Sequence, residues 1–228
     1  MPITCCIFDA YGTLFDVAAA ARDLSATGRF PALSENWPAL AEHWRIKQLS
    51  YSWLRAVSGD HADFWQVTGE ALDWSLEATG LDGDAEMRAA LMALYHELAS
   101  FPEVPEMLAT LKGRGQRLGI LSNGSPAMLE GAVGSAGIGD LLEAVLSVES
   151  VGVFKPARAV YDLVGQAYGV PKEEVLFVSS NGWDAAAGAA YGFTTAWVNR
   201  KGEPLDRLPG RPHHILSDLA TLPDLEVF

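Results

Sequence analysis

Residues 3–8 form a short apolar run, ITCCIF, which stops at Asp9 and is followed by the turn pair Gly12-Thr13. A run of this length ended by a turn signal is typical of a strand buried in a parallel sheet. Ligands of open α/β sheets bind outside the carboxyl ends of the strands, which is where Asp9 would lie. A carboxylate on apolar surface suits a nucleophile, although Asp also commonly caps a turn. The stretch predicts an α/β fold and leaves both roles open for Asp9.

Apolar runs alternate with helical patterns in the second half of the chain. Helices are predicted to begin near Pro105, at Ser125-Pro126 and at Pro156, and another covers residues 184–191. The intervening runs predict strands at residues 117–121, 144–148, 175–178, 195–198 and 214–216. This alternation is typical of a Rossmann-like parallel sheet with right-handed crossovers and helices on both faces.

Residues 17–99 have a different, helical texture, with apolar residues at i, i+3, i+4 and i+7. We interpret them as a helical bundle inserted after the first strand to cover the carboxyl edge of the sheet. The predicted domains are a catalytic core of residues 1–16 and 100–228 and a helical cap of residues 17–99. We expect the aromatic residues of the segment to form the core of this bundle. They include Trp37, Trp44, Trp53, Trp65 and Trp74.

Charge and cysteine content narrow the classes of partner. The chain carries 29 acidic and 16 basic residues, a formal net charge of −13. This argues against nucleic acid and anionic membranes as partners and requires positive charge in the site of an anionic substrate. No apolar run approaches the roughly 20 residues that span a bilayer, and no basic region precedes the first run, so we expect a cytoplasmic location. The adjacent Cys5 and Cys6 point to opposite faces of the strand and are poorly placed for a disulfide.

Polar residues follow four of the predicted strands. Taken one at a time, each has an ordinary explanation as a turn residue, a helix cap or a solvated lysine. Taken together, they place two carboxylates, an ammonium group and several neutral donors on one rim of the sheet. These residues are Asp9, Tyr11 and Thr13, then Ser122 and Asn123, then Lys155, and finally Ser179, Asn181, Trp183 and Asp184.

These motifs resemble the haloacid dehalogenase superfamily, and within it the L-2-haloacid dehalogenases. The resemblance covers almost the whole chain, helical insertion included, and departs from the pattern at Phe154, Gly182 and Ile46, where Tyr, Ala and a polar residue are usual. The segments that carry it are FDAYGTLFD at 8–16, WRIKQLSYSWLR at 44–55, LSNGSP at 121–126, VFKP at 153–156 and FVSSNGWDAAAGA at 177–189.

The resemblance favours dehalogenation over phosphate transfer. The phosphatases of the superfamily carry a second Asp two residues after the nucleophile and acidic magnesium ligands in the fourth motif. Here Tyr11 takes the first of these positions, and Ser179 and Asn181 precede Asp184. Neutral groups weaken a magnesium site, and a halide leaving group needs no proton. We therefore expect neither a metal nor a cofactor.

The resemblance also implies a mechanism. Asp9 attacks C2 of an L-2-haloalkanoate, expels halide with inversion, and forms an aspartyl ester that water hydrolyses to a D-2-hydroxy acid. Lys155, which also favours the ionised form of Asp9, would hold the substrate carboxylate with Ser122 and the backbone N–H groups near Ala10 and Tyr11. A homodimer is likewise implied.

The remaining site residues are assigned from the same resemblance. Arg45, Asn123 and Trp183 form the halide cradle, because Arg stays charged and is weakly hydrated. Asp184 and Asn181 position or deprotonate the hydrolytic water. Thr13 and Ser179 orient Asp9 and Lys155, and Tyr161 lies one helical turn from the lysine motif. The apolar wall that excludes water consists of Tyr11, Leu49, Phe64 and Trp183.

Two other functions remain open at this point. One is a phosphatase or phosphonate hydrolase of the same superfamily, which would need magnesium. The other is a non-catalytic binding protein on the same fold, because a fold does not dictate a function.

Overall fold

The computed structural model describes residues 2–228, so Met1, the first residue of the predicted core, lies outside it. These residues contain one six-stranded sheet with the strand order β3-β2-β1-β4-β5-β6, and every neighbouring pair is parallel. The strands are β1 Cys5–Phe8, β2 Arg117–Ser122, β3 Ala144–Ser147, β4 Val175–Ser179, β5 Thr194–Val198 and β6 His214–Leu216. The predicted parallel α/β sheet is confirmed.

Four helices lie between β1 and β2, and we call them the cap helices. They are α1 Ala19–Ala26, α2 Pro31–Ser58, α3 Phe64–Thr79 and α4 Ala85–His96. The other helices alternate with the strands and are α5 Val104–Gly113, α6 Pro126–Ala136, α7 Arg158–Tyr168 and α8 Gly182–Tyr191. The helix predicted to begin at Pro156 begins two residues later, at Arg158. None of the helices in residues 2–228 combines the length and the apolar character needed to cross a membrane.

Local sequence explains where the cap helices begin and end. The carboxylates of Asp63 and Asp84 accept hydrogen bonds from the backbone N–H groups three residues on, which caps α3 and α4. Gly59 and Gly80 end α2 and α3 with φ values of +78° and +67°, a left-handed conformation that favours glycine. The cap helices are therefore interrupted at residues 59–63 and 80–84.

The tryptophans of the cap helices do not all lie in the core of the helical bundle. Trp44 is buried, whereas Trp53 and Trp74 are 36% and 37% exposed. Trp53 packs edge-on against Trp183 of α8, outside the cap helices. Trp74 lies under the ammonium group of Lys47. The prediction was wrong for these residues because helical spacing identifies a face but not the neighbour that the face meets. Smaller side chains such as Leu40, Val67 and Leu72 are fully buried instead.

The chain enters and leaves the cap helices at one place. Phe15 and Ser100 form an antiparallel bridge. Beside it, the Asp16 N–H donates to the Ala99 carbonyl, and the Phe101 N–H donates to the Leu14 carbonyl. The two connecting segments are thus held together directly after the loop that follows Asp9.

Candidate active site

Asp9 lies at the carboxyl end of β1, the central strand of the site, and only 6% of its surface is exposed. Its Oδ2 accepts hydrogen bonds from Thr13 Oγ1 at 3.0 Å and from Asn181 Nδ2 at 3.1 Å. Its Oδ1 accepts one from Lys155 Nζ at 3.1 Å. Three donors from three loops therefore fix this carboxylate in one orientation, which is the preorganisation that a nucleophile requires.

Lys155 is shared by two carboxylates. Its Nζ lies 3.1 Å from Asp9 Oδ1 and 2.9 Å from Asp184 Oδ2, and its side chain is 1% exposed. Burial opposes its charge, but the carboxylates of Asp184 and Asp9 outweigh burial, so the pKa of Lys155 is raised above its ordinary value. The raised pKa thus favours the charged form of Lys155 beside the nucleophile.

Asp184 is fully buried behind this lysine, and its Oδ1 accepts a hydrogen bond from the Tyr161 hydroxyl at 2.7 Å. Burial raises the pKa of Asp184, and the nearby charge of Asp9 adds to the effect while Lys155 opposes it. A single ammonium group cannot neutralise both carboxylates. Asp184 therefore has a stronger tendency to take up a proton than an ordinary Asp has.

Arg45, in α2 of the cap helices, places a second positive charge in the site. Its Nη2 donates to the backbone carbonyl of Tyr11 and to Asn181 Oδ1, both at 3.1 Å. Because Asn181 in turn donates to Asp9, the guanidinium group lies next to the nucleophile. The cap helices thus contribute to the site itself as well as covering it.

A small cavity opens over Asp9, and nearly all of the predicted substrate-binding side chains line it. Two buried polar atoms in its wall, the Tyr11 hydroxyl and Trp183 Nε1, have no hydrogen-bond partner within residues 2–228. The backbone N–H groups of Ala10 and Tyr11 also donate to no acceptor in that part of the chain. The lining residues are Asp9, Tyr11, Arg45, Leu49, Phe64, Ser122, Asn123, Lys155, Asn181 and Trp183.

Five predicted site residues lie outside the cavity wall, namely Thr13, Asp184, Tyr161, Ala10 and Ser179. Tyr161 is behind Lys155 and contacts Asp184, and Ala10 is fully buried. Ser179 makes no hydrogen bond to Asp9 or Lys155 among the described residues; its Oγ accepts the Asn181 N–H at 3.2 Å. Ser179 instead shapes the turn that presents Asn181.

Ser180, the residue after Ser179, was not predicted to belong to the site, yet it contacts Thr13. Its backbone N–H donates to Thr13 Oγ1 at 2.8 Å, and its own Oγ lies 3.1 Å from that oxygen. Thr13 is therefore held from β4 while it holds Asp9. The two adjacent serines cannot be distinguished by residue type, so only the geometry of the turn identifies Ser180.

The cap helices also contain a buried network of side-chain hydrogen bonds, which the sequence patterns did not predict. The Tyr95 hydroxyl donates to Gln48 Oε1 at 3.1 Å, and Gln48 Nε2 donates to Thr68 Oγ1 at 2.9 Å. Burial raises the pKa of Tyr95, and the facing Arg45 guanidinium opposes that shift. The network joins α2, α3 and α4 next to two cavity residues, Arg45 and Phe64. Gln48 lies three residues after Arg45, and this helical spacing was the available signal.

The residues around Asp9 do not fit a magnesium site of the phosphatase type. The second acid of that site is replaced by Tyr11, whose ring stacks on Tyr95 with centroids 5.6 Å apart. Within residues 2–228, no three His, Cys, Asp or Glu side chains are grouped so that they could hold a metal ion. We therefore assign no reaction step to a metal.

Comparisons with known proteins agree with this geometry. The family model described as haloacid dehalogenase-like hydrolase matches residues 3–192. An (S)-2-haloacid dehalogenase of Pseudomonas sp. (strain YL) is 42% identical over 218 residues, which cover 96% of this chain and 92% of that protein. One from Xanthobacter autotrophicus is 45% identical over 194 residues, which cover 85% and 74%.

Solved structures show the same similarity in three dimensions. An L-2-haloacid dehalogenase structure superposes with a TM-score of 0.92 at 42% identity and covers 98% of both chains. The Xanthobacter autotrophicus L-2-haloacid dehalogenase with chloropropionic acid covalently bound superposes with a TM-score of 0.88 at 36% identity, again over 98% of both chains.

Proposed function

This chain belongs to the haloacid dehalogenase-like hydrolases, and from that membership and its site we propose that it hydrolyses short-chain L-2-haloalkanoic acids to D-2-hydroxy acids and halide. The observation that carries the proposal is the Asp9 carboxylate, buried at a strand end and held by Thr13, Asn181 and Lys155. A relative of the same fold holds chloropropionic acid covalently. The enzyme is thus an (S)-2-haloacid dehalogenase, a hydrolase that acts on carbon–halide bonds.

In the first step, an Asp9 oxygen attacks C2 from the side opposite the halogen. The carbon–oxygen bond forms as the carbon–halogen bond breaks, the halide leaves with the bonding electrons, and C2 is inverted. The departing anion is received by Arg45, Asn123 and the unpartnered Nε1 of Trp183, all of which line the cavity. Arg45 suits this role because it keeps its charge and is weakly hydrated.

In the second step, water attacks the carbonyl carbon of the Asp9 ester. Asp184 accepts a proton from the water and returns it to the substrate oxygen as the bond from the ester carbonyl to that oxygen breaks, so the D-2-hydroxy acid leaves with its hydroxyl group. The Asp9 carboxyl group that forms releases the remaining proton to solvent. Lys155 and Tyr161 hold Asp184 in place for this transfer. Asn181, which bonds Asp9 directly, positions the water.

The substrate carboxylate is bound at the loop that follows Asp9. The backbone N–H groups of Ala10 and Tyr11 are without acceptors in residues 2–228, and Ser122 lines the same cavity. Lys155 adds a positive charge nearby. The rings of Tyr11, Phe64 and Trp183, with Leu49, exclude water from C2 before the halide leaves.

We propose that residues 17–99 act as a cap domain over a core of residues 1–16 and 100–228, and that the enzyme is cytoplasmic and dimeric.

The proposed dimer is supported by an exposed apolar side of α2, on which Ile46, Leu54 and Val57 are 52%, 63% and 89% exposed. An apolar helix face of this kind suits contact with a second copy. Light scattering should give the mass of a dimer for the native chain and of a monomer for the double variant Leu54→Glu/Val57→Glu. A native monomer would contradict the dimer without affecting the reaction.

Halide release tests the function. With EDTA present, L-2-chloropropionate should release chloride and D-2-chloropropionate should not, and Asp9→Asn should abolish the reaction. In heavy-oxygen water, repeated turnovers should place the label in the Asp9 carboxylate. Activity on the D isomer only, activity lost in EDTA, or an unlabelled Asp9 would each overturn the proposal. Magnesium-dependent phosphate release without chloride release would identify a phosphatase, and the absence of turnover a binding protein.

A further inference from the structure

Arg200 follows β5 on a loop that does not line the cavity, yet it binds the segment that holds the nucleophile. Its Nη2 donates to the backbone carbonyl of Thr13 at 3.2 Å, and its Nη1 pairs with Glu103 Oε1 at 2.7 Å. The guanidinium group lies 3.7 Å from the centroid of the Phe101 ring. Both ionic side chains are largely buried, at 21% and 19% exposure.

These contacts join the two connecting segments of the cap helices. Thr13 lies just before the bridge between Phe15 and Ser100, and Phe101 and Glu103 lie just after it. Arg200 thus holds one segment through a backbone carbonyl and the other through a ring and a carboxylate. It acts as a clamp from the core at the point where the cap helices attach.

The same clamp controls the orientation of Thr13. Thr13 is fully buried, and Arg200 is the sole donor to its carbonyl among the residues that the structure describes. The Thr13 hydroxyl meets Asp9 Oδ2 at 3.0 Å. If the guanidinium group is removed, the Thr13 carbonyl loses its donor, and the peptide after Thr13 keeps only the hydrogen bond from the Leu14 N–H to the Ala10 carbonyl at 2.8 Å. The Thr13 hydroxyl is then less firmly aligned with Asp9.

We propose that Arg200, with Glu103, is a positioning residue for the attack of Asp9 on C2. It keeps Thr13 aligned with the nucleophile at the point where the cap helices join the core. The proposal rests on the proposed function, because it assumes that Asp9 is the nucleophile. It assigns Arg200 an effect on the first chemical step and none on substrate binding.

Arg117 provides a matched control, because it makes the same three kinds of contact elsewhere. It pairs with Glu143, donates to the Tyr168 carbonyl at 2.8 Å, and lies 4.8 Å from the centroid of the Tyr168 ring. Arg117 begins β2, at the end of the strand opposite the cavity. Arg117→Gln removes the same kinds of contact, at a more exposed position, without touching the segment that contains Thr13.

The test is halide release in a single turnover of L-2-chloropropionate with enzyme in excess. Arg200→Gln should slow this step about tenfold or more, because small misplacements of reacting groups are costly. The half-saturating concentration should stay within about twofold of the native value, since Arg200 does not line the cavity. Glu103→Gln, which keeps an acceptor, should slow the same step less. Arg117→Gln should match the native rate.

A double-mutant cycle with Thr13→Val separates positioning from general destabilisation. If Arg200 acts through the Thr13 hydroxyl, Arg200→Gln should have little further effect in the Thr13→Val background. Equal effects in both backgrounds, or a rate for Arg200→Gln equal to that of Arg117→Gln, would overturn the proposal. Should Arg200→Gln fail to fold, Arg200→Lys and Glu103→Gln serve in its place. A native chain that releases no chloride would instead contradict the proposed function.

Discussion

The centre of the site holds two carboxylates but only one lysine between them, and the different surroundings of the two carboxylates suit them to different roles. Lys155 lies between Asp9 and Asp184, so one cation serves two carboxylates in a buried setting. Asp9 also receives hydrogen bonds from Thr13 and Asn181. Asp184 is more deeply buried and receives one from Tyr161, a phenol whose own pKa is raised well above the ordinary value, chiefly by burial. The hydrogen bonds thus orient the Asp9 carboxylate for attack, and the raised pKa of Asp184 suits that residue to proton uptake.

The pKa of Asp184 gives a testable pH dependence. Its pKa is raised, so its base form is present above that pKa and is lost as the pH falls through it. Burial, the largest cause of the raised pKa, persists in the ester although the charge of Asp9 is lost there, so hydrolysis of the ester should decline on the acid side at a pH above the ordinary Asp value of about 3.9. Asp184→Asn should release one halide per site and then slow by roughly 100-fold or more. Rapid quenching and mass spectrometry of the Asp9 ester measure both effects.

Asp162 supplies the matched control for that experiment. It is exposed on α7 and, like Asp184, accepts a hydrogen bond from a tyrosine hydroxyl, that of Tyr191 at 2.5 Å. Asp162→Asn should leave both steps unchanged. If Asp184→Asn turned over steadily without accumulating the ester, the assignment of Asp184 as the base would fail.

At the scale of elements, the cap helices are more than a cover. The hydrogen bonds from Tyr95 to Gln48 and from Gln48 to Thr68 join α2, α3 and α4. Thr68 also accepts the indole N–H of Trp44 through its carbonyl at 2.8 Å. A buried network in which each member has a partner specifies a single packing arrangement. It therefore fixes where α2 places Arg45 and where α3 places Phe64.

Replacing Gln48 tests this arrangement. Gln48→Leu leaves the Tyr95 hydroxyl buried without its acceptor, so the free energy of unfolding should fall by about 1–3 kcal/mol. The half-saturating substrate concentration should rise, because Arg45 and Phe64 are less well placed. Gln66→Leu is the control, since Gln66 lies in α3 but makes an exposed hydrogen bond to Glu70. Denaturant unfolding and steady-state kinetics of both variants decide the matter, and equal behaviour would contradict the role of the network.

Sequence patterns predicted the elements better than they predicted the contacts between them. The strands and their terminal residues follow from apolar runs that stop at turn signals, because carboxyl ends of parallel strands share one edge. That α2 brings Arg45 to Asp9 came only from family resemblance, since helical spacing does not reveal a helix's direction. The exposure of Trp53 and the contact between Ser180 and Thr13 were not predicted either. Both depend on which neighbour a side chain meets in space.

At the scale of the whole molecule, the negative net charge of the chain repels an anionic substrate as it approaches. The chain carries a formal charge of −13, and a 2-haloalkanoate is an anion. Within the site, Lys155 and Arg45 supply local positive charge at short range. Repulsion from the distant acidic surface is screened by salt more strongly than attraction at short range within the cavity.

Salt should therefore raise the efficiency of the enzyme. We expect kcat/KM for L-2-chloropropionate to increase about twofold or more between low ionic strength and about 0.2 M, where the Debye length is well under 10 Å. Sodium sulfate avoids adding halide, which is a product. The value of kcat should remain constant, because it reports steps after binding. A fall in kcat/KM would show that Lys155 and Arg45 dominate the long-range field.

The bridge between Phe15 and Ser100 also has a consequence for evolution and for protein engineering. Two chain ends that separate at neighbouring positions can be joined to a different insert without disturbing the sheet on which Asp9 stands. The helical insert of such a scaffold can therefore be exchanged as a unit, and the substrate range would change with it. A foreign helical bundle grafted between these two residues would bring its own arginine and its own pocket lining to an unchanged nucleophile.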